Sequence, residues 1–255
     1  MHPEHRQTDH RIRFDWGREG AAAVVPGCAV AVVVDVLTFS TTLTVAIEAG
    51  AVVYPYRWDP AAAAGYAAER DATVAVGRSQ AAPGRPSLSP ASIRRANGVR
   101  RLVLPSPNGS ALAFALADAG VAVVGACLRN ATAVARWVTA HTAGPVAVIA
   151  AGERWPDGAL RPAVEDLWGA GAVLRVLAAA DPDGCSPESL AAVAAFDAAS
   201  PSIDARLRDS ASGRELAAKG FAGDVGIAAE LDTTTVVPLL RDAAFVDAST
   251  EGPDR

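Results

Sequence analysis

Lysine occurs once in this chain of 255 residues, at Lys219, and every other basic side chain among its 23 is arginine. A phosphate-binding P-loop and a Schiff-base lysine are both hard to place, because Lys219 precedes Gly220 at what reads as a helix C-cap. Histidine is scarce too: His2, His5 and His10 lie in a polar leader, which leaves His141 alone in the globular part. A Ser-His-Asp triad or a phosphohistidine mechanism has almost no material. The three cysteines, Cys28, Cys127 and Cys185, form no CxxC pair and no even set, which disfavours a disulfide framework or a zinc site. Cys28 and Cys127 read as buried, inert thiols. The net charge is −5 and no basic stripe occurs, which argues against a nucleic-acid partner. Apolar runs such as "CAVAVVVDVL" are broken by Asp well short of a bilayer's width, and the start has no signal-peptide core. No membrane partner and a cytoplasmic location are expected.

What is present is a strong alternation. Half of the chain is apolar, enough for a substantial core. Strand-like runs are each followed by a segment of helical period: "AVAVVVDV" then "LTVAIEAG", "AVVYPYR" then "PAAAAGYAAER", "RLVLPS" then "ALAFALADAG", "VAVVGA" then "ATAVARWVTAH", and "PVAVIAAG" then "VEDLWGAGAVLRVLAAA". "ATVAVGR" reads as a further strand, followed by the Pro/Gly/Ser-rich "SQAAPGRPSLSPASIRRANG", long enough to be an active-site loop. Residues 187–229 read as helices and "TTTVVPLL" as a last strand. The expected fold is α/β: a mostly parallel sheet with helices on both faces and a helical C-terminal third. Residues 13–247 are expected to form one domain between a flexible leader, 1–12, and a flexible tail, 248–255.

In open parallel sheets ligands bind beyond the carboxyl ends of the strands, where helix N-termini present free N–H groups. The unusual polar residues fall there. Asp35 and the hydroxyls of "TFSTT" (Thr38, Ser40, Thr41, Thr42) follow one strand, and Ser106, Asn108, Gly109 and Ser110 follow another. Arg129 and Asn130 follow a third, Glu153 and Arg154 a fourth. Each has a plainer reading: Ser40, Thr41 or Thr42 could cap a helix, Asn-Gly could be a hairpin turn, Arg78 a solvated charge, and Glu165 with Asp166 a favourable dipole partner. Trp16 and Gly17 read as packing and turn residues. Together, hydroxyls, amides and arginines suit a phosphate, and carboxylates added to them imply a divalent cation. Hard oxygen ligands without His or Cys select Mg²⁺. The chemistry implied is Mg²⁺-assisted transfer of a phosphoryl group to water.

These residues carry a family resemblance. "DVLTFSTT", "SPNGS", "RNATAVA", "AAGERWPDGALRPAVEDLWGAGAV" and, late in the chain, "SGRELAAKGFAGDV" with "VVP" occur in the order of the corresponding elements of the 2-phosphosulfolactate phosphatases, which the chain resembles over most of its length. That resemblance implies a Mg²⁺-dependent enzyme removing phosphate from 2-phospho-3-sulfolactate on a route to coenzyme M. The chain departs from the family's pattern at Thr38, where Arg is common, at Gly77-Arg78-Ser79 in place of Gly-Glu-Arg, and at Leu88-Ser89-Pro90 in place of Asn-Ser-Pro. Ala150 and Leu167 or Trp168 stand where the family often has cysteine, so thiol chemistry there is excluded.

The residues and the resemblance together give a definite expectation. Asp35, Glu165 and Asp166, or Glu153 in place of one of them, would hold Mg²⁺, and Asp35, Glu153 and Arg154 would be catalytic. Thr38, Ser40, Thr41, Thr42, Arg78, Ser89, Ser106, Asn108, Gly109, Ser110 and Asn130 would bind a small anionic phosphorylated acid. A haloacid-dehalogenase-type mechanism is disfavoured because Leu37 stands two residues after Asp35, where a second acid is required. The alternative is a noncatalytic phosphometabolite binder on the same fold. Assembly as a homodimer is left open.

Overall fold

A computed structural model describes residues 2–57, 59–82, 85–96 and 98–252, without the side chains of residues 60 and 61. The strands are β1 (Ile12–Trp16), β2 (Val30–Val34), β3 (Val52–Tyr56), β4 (Thr73–Val74), β5 (Arg101–Pro105), β6 (Ala122–Ala126), β7 (Val146–Ala150), β8 (Glu153–Arg154), β9 (Leu160–Arg161), β10 (Pro238–Arg241) and β11 (Ala244–Asp247). The helices are α1 (Gly17–Val24), α2 (Phe39–Glu48), α3 (Pro60–Ala68), α4 (Pro90–Arg95), α5 (Gly109–Asp118), α6 (Ala131–His141), α7 (Val164–Ala180), α8 (Pro187–Ala199), α9 (Ile203–Asp209), α10 (Ala211–Ala218) and α11 (Ala222–Ala228).

Among the described residues nine strands form one sheet in the order β1-β7-β2-β6-β10-β11-β3-β5-β4, and β8 pairs with β9 as a separate hairpin. The fold is α/β with a mostly parallel sheet: β1, β7, β2 and β6 run parallel, as do β3, β5 and β4. Between these blocks lies the β10–β11 hairpin, antiparallel to both neighbours. Its turn residues Asp242 and Ala243 both have positive φ, 46° and 65°, the conformation that matches a two-residue loop to strand twist. Three successive antiparallel steps reverse the sense of the second block. In a flat sheet the carboxyl ends of β2 and β5 would lie on opposite edges. They meet instead, Gly109 N–H donating to Asp35 Oδ2 at 2.9 Å, so the sheet curls. Helices α2 and α5 fill the concave face, each touching strands of both blocks.

The strand side chains alternate between the faces as a two-residue period requires. Val30, Val32 and Val34 of β2 and Val146, Val148 and Ala150 of β7 join the outer core with α6, α7 and α8. Ala31, Val33, Ala147 and Ile149 join the inner core with Phe39, Leu43, Leu112 and Leu116 of α2 and α5. Gly171 lets α7 and α8 touch, since a Cβ there would meet Ala192 O at 2.1 Å.

The structure departs from the sequence reading at several elements. The leader expected over 1–12 runs into the sheet: Ile12 opens β1, and Gln7 is buried with its amide exchanging two hydrogen bonds with Phe14. In the tail expected over 248–255, Ala248 is buried and Glu251 pairs with Arg241, while residue 1 and residues 253–255 of these two segments lie outside the described residues. "ATVAVGR" contributes two residues to an edge strand rather than a full one. Helix α1 has no counterpart among the expected elements, although Trp16 packs against the core and Gly17 takes the positive φ of a turn, as expected.

Candidate active site

Three of the four expected strand ends converge, those of β2, β5 and β7. Asp35, one residue past β2, is buried at the start of two helices: its Oδ1 accepts from Phe39 N–H of α2 at 3.1 Å and its Oδ2 from Gly109 N–H of α5 at 2.9 Å. Only glycine fits at 109, because a Cβ would lie 2.3 Å from the Phe39 ring and 2.7 Å from Asp35 Oδ2. The neighbouring Asn108 donates its amide to Glu153 Oε2 at 2.9 Å, joining the β5 loop to the β8–β9 hairpin that follows β7. Behind these, the first turn of α7 supplies Glu165 and Asp166, both buried. Asp166 accepts from Val36 N–H at 2.7 Å and from Gly152 N–H at 2.9 Å, bracing the loops after β2 and β7.

A cavity of about 130 Å³ opens over this cluster, lined on its polar side by Asp35, Thr38, Thr42, Arg78, Ser106, Asn108 and Glu153. Burial pushes the Asp35 carboxyl up to about 6; the negative charge of Glu165 adds to this, and the two backbone donors and Arg78 oppose it. Burial likewise raises Glu153 to about 7, with help from the Asp35 charge and opposition from Asn108 and Arg161. Asp166 is raised well above its ordinary range, first by burial and then by Asp35 and Glu165. The acids therefore sit close enough to destabilise one another's ionised forms. A larger groove of about 760 Å³ between α1 and α5 contains none of them.

That surplus of buried negative charge, carried wholly by hard oxygen donors, fits a divalent cation. Among the described residues no three acids, histidines or cysteines close on a common point. The expected set of Asp35, Glu165 and Asp166 therefore does not close into a protein cage around one point.

Other predicted residues lie elsewhere or serve the backbone. Ser40 Oγ accepts from Asp35 N–H and donates to Val33 O, Thr41 Oγ1 donates to Val36 O, and Ser110 Oγ donates to Leu104 O; all three are fully buried. They shape the two turns instead of facing the cavity. Thr42, in the cavity wall, donates to Leu88 O and tethers the long loop. Asn130 does not line the pocket: its amide accepts from Cys127 N–H and donates to Gly125 O and Val236 O. Arg154 donates to Gly158 O within its own hairpin and does not line the cavity. Ser89 caps α4 and donates to Asp224. Asp224 and Arg161 are the residues that sequence reasoning missed. Arg161 carries the cationic charge that opposes the rise at Glu153, and it donates to Ser212 Oγ at 3.2 Å. Neither has a local signal, since the partners of Asp224 are more than a hundred residues away.

Comparison with known proteins finds relatives over most of the chain. Residues 20–243 match the sequence pattern of 2-phosphosulpholactate phosphatase. A protein of Deinococcus radiodurans named probable 2-phosphosulfolactate phosphatase is 31% identical over 215 residues, covering 83% of this chain and 87% of that protein. No helix among the described residues is long and apolar enough to cross a membrane. With a match spanning seven of the nine strands of the sheet and the elements that line the cavity, the chain belongs to the 2-phosphosulpholactate phosphatase family of phosphoric monoester hydrolases.

Proposed function

We propose that the Asp35–Glu153 cavity is the active site of a Mg²⁺-dependent phosphatase hydrolysing the phosphate monoester of a small hydroxy acid, 2-phospho-3-sulfolactate or a close relative. The observation that carries this reading is the meeting of the β2 and β5 ends at Asp35, with Glu153 and Arg78 in the same cavity wall. Asp35 and Glu165 would hold the cation, and Asp166, whose oxygens accept the Val36 and Gly152 N–H groups, braces the loops behind them. When bound, Mg²⁺ supplies charge neutralisation of the acids and polarisation of the phosphoryl oxygens.

The chain's own groups supply the rest. Arg78, Thr38 and Ser106 line the wall where a phosphoryl group would lie, and the N-terminal turns of α2 and α5 point their dipoles toward it. Glu153, raised to about 7, is divided between its two forms near neutral pH. In its ionised form it takes a proton from the attacking water as the new P–O bond forms, and it returns that proton to the hydroxy-acid oxygen as the ester P–O bond breaks. Asn108 aims the carboxylate for both transfers. Phosphate release from 2-phospho-3-sulfolactate, assayed with and without MgCl₂, tests the proposal. Turnover by the wild type and its loss in Asp35→Asn are expected, and turnover retained in Asp35→Asn removes Asp35 from the mechanism.

A further inference from the structure

The arginine in the cavity wall is gripped from the far end of the chain. Asp224, on α11, is 1% exposed and has both oxygens engaged: Oδ2 accepts from Arg78 Nε at 3.2 Å, and Oδ1 accepts from Ser89 Oγ and from Ala91 N–H at 3.4 Å. The first bond spans 146 positions in sequence. Arg78 in turn donates from Nη2 to Thr38 Oγ1 in the loop before α2, and its Cζ lies 5.7 Å from the ring centre of Phe221, three residues before Asp224. Among the described residues Nη1 has no protein partner, and the side chain of Arg78 keeps 21% of its surface exposed. A guanidinium held at Nε and along one edge, with its remaining donors free, is set up to receive an oxyanion in a fixed orientation. Asp224 also ties down Ser89 and the start of α4, at the end of the long Pro/Gly/Ser-rich loop, so the carboxylate fixes both ends of the segment that carries Arg78.

We propose that Asp224 is a positioning residue: through Nε it orients the Arg78 guanidinium so that its Nη donors meet the substrate's oxyanion. The inference rests on the reading of the cavity as the phosphate site.

Inorganic phosphate is the probe. It is titrated calorimetrically, with MgCl₂ present, into the full-length wild type, Arg78→Ala, Asp224→Asn and the double variant, and each protein's melting temperature is recorded. The affinity of Arg78→Ala is expected to fall by about 10- to 100-fold, the range for losing charged hydrogen bonds. Asp224→Asn should lose several-fold, and adding it to Arg78→Ala should change nothing further, because its effect passes through the arginine. Additive losses, or unchanged phosphate affinity in Asp224→Asn, would overturn the positioning role while leaving the phosphate site in place. No phosphate binding by the wild type would overturn the phosphate site itself, and the inference with it. Should Asp224→Asn not fold, Arg78→Lys runs the same test from the other partner, since it keeps the charge but has no Nε. A loss matching that of Arg78→Ala supports orientation, and wild-type affinity refutes it.

Discussion

Two carboxyls in the cavity wall, Asp35 at about 6 and Glu153 at about 7, hold their protons more tightly than they would in an unfolded chain, where the ordinary values are 3.8 and 4.5. Between those limits the folded protein binds more protons than the unfolded one, so stability falls as pH rises through the window. In EDTA the melting temperature should therefore decline from pH 5 to pH 8. MgCl₂ should raise it more at pH 8 than at pH 5, because a cation binds the ionised acids. The decline should be shallower in Glu153→Gln, and a flat EDTA profile in the wild type would contradict the burial of these acids. The same substitution should cut kcat by about 10²- to 10⁴-fold if Glu153 shuttles the proton, measured by phosphate release at saturating substrate. At this scale the sequence was readable where a strand end forces a polar residue into a crevice, as at Asp35, Asn108 and Glu153. It was not readable for hydroxyls. Ser40, Thr41 and Ser110 stand beside turns whose own carbonyl and N–H groups need partners, and nothing local distinguishes that use from ligand binding.

The elements around the site depend on close approaches that can be tested one at a time. Gly109→Ala forces a Cβ against the Phe39 ring and Asp35, so it should cost about 1–3 kcal/mol in urea unfolding and lose phosphatase activity at once. Asn130→Ala strips three hydrogen bonds joining the loop after β6 to its neighbours, and should lower stability by about 1–3 kcal/mol while leaving KM unchanged. A raised KM there would put Asn130 back in the binding site. The apolar runs foretold β2, β3, β5, β6 and β7 with the helices after them, because four of them are buried on both faces and β3 alternates buried with half-buried residues. The β10–β11 hairpin was half seen. Its turn, Asp242-Ala243, lacks the Asn-Gly or Asp-Gly pair that announces such loops, and its strands are only four residues each. Edge strand β4 was overcalled, since it has one sheet neighbour to pair with and "ATVAVGR" soon leaves it.

Across the whole molecule, the antiparallel hairpin at the sheet's centre is what makes the site possible. It reverses the second parallel block, and the sheet curls around α2 and α5 until the ends of β2 and β5 meet. Alternation alone implied a mostly parallel sheet with the site residues along one common edge. That picture reached the right convergence by a route the chain does not take, and it left the C-terminal helices without a task at the site. Asp224 of α11 reaches the arginine of the cavity wall from a segment whose sequence signals only helix. A crystal structure of the protein with MgCl₂ and inorganic phosphate addresses the central claim most directly. The account predicts a cation within ligand distance of Asp35 and a phosphate facing Arg78 and Asn108. Phosphate bound in the α1–α5 groove, with Asp35 touching no cation, would contradict it.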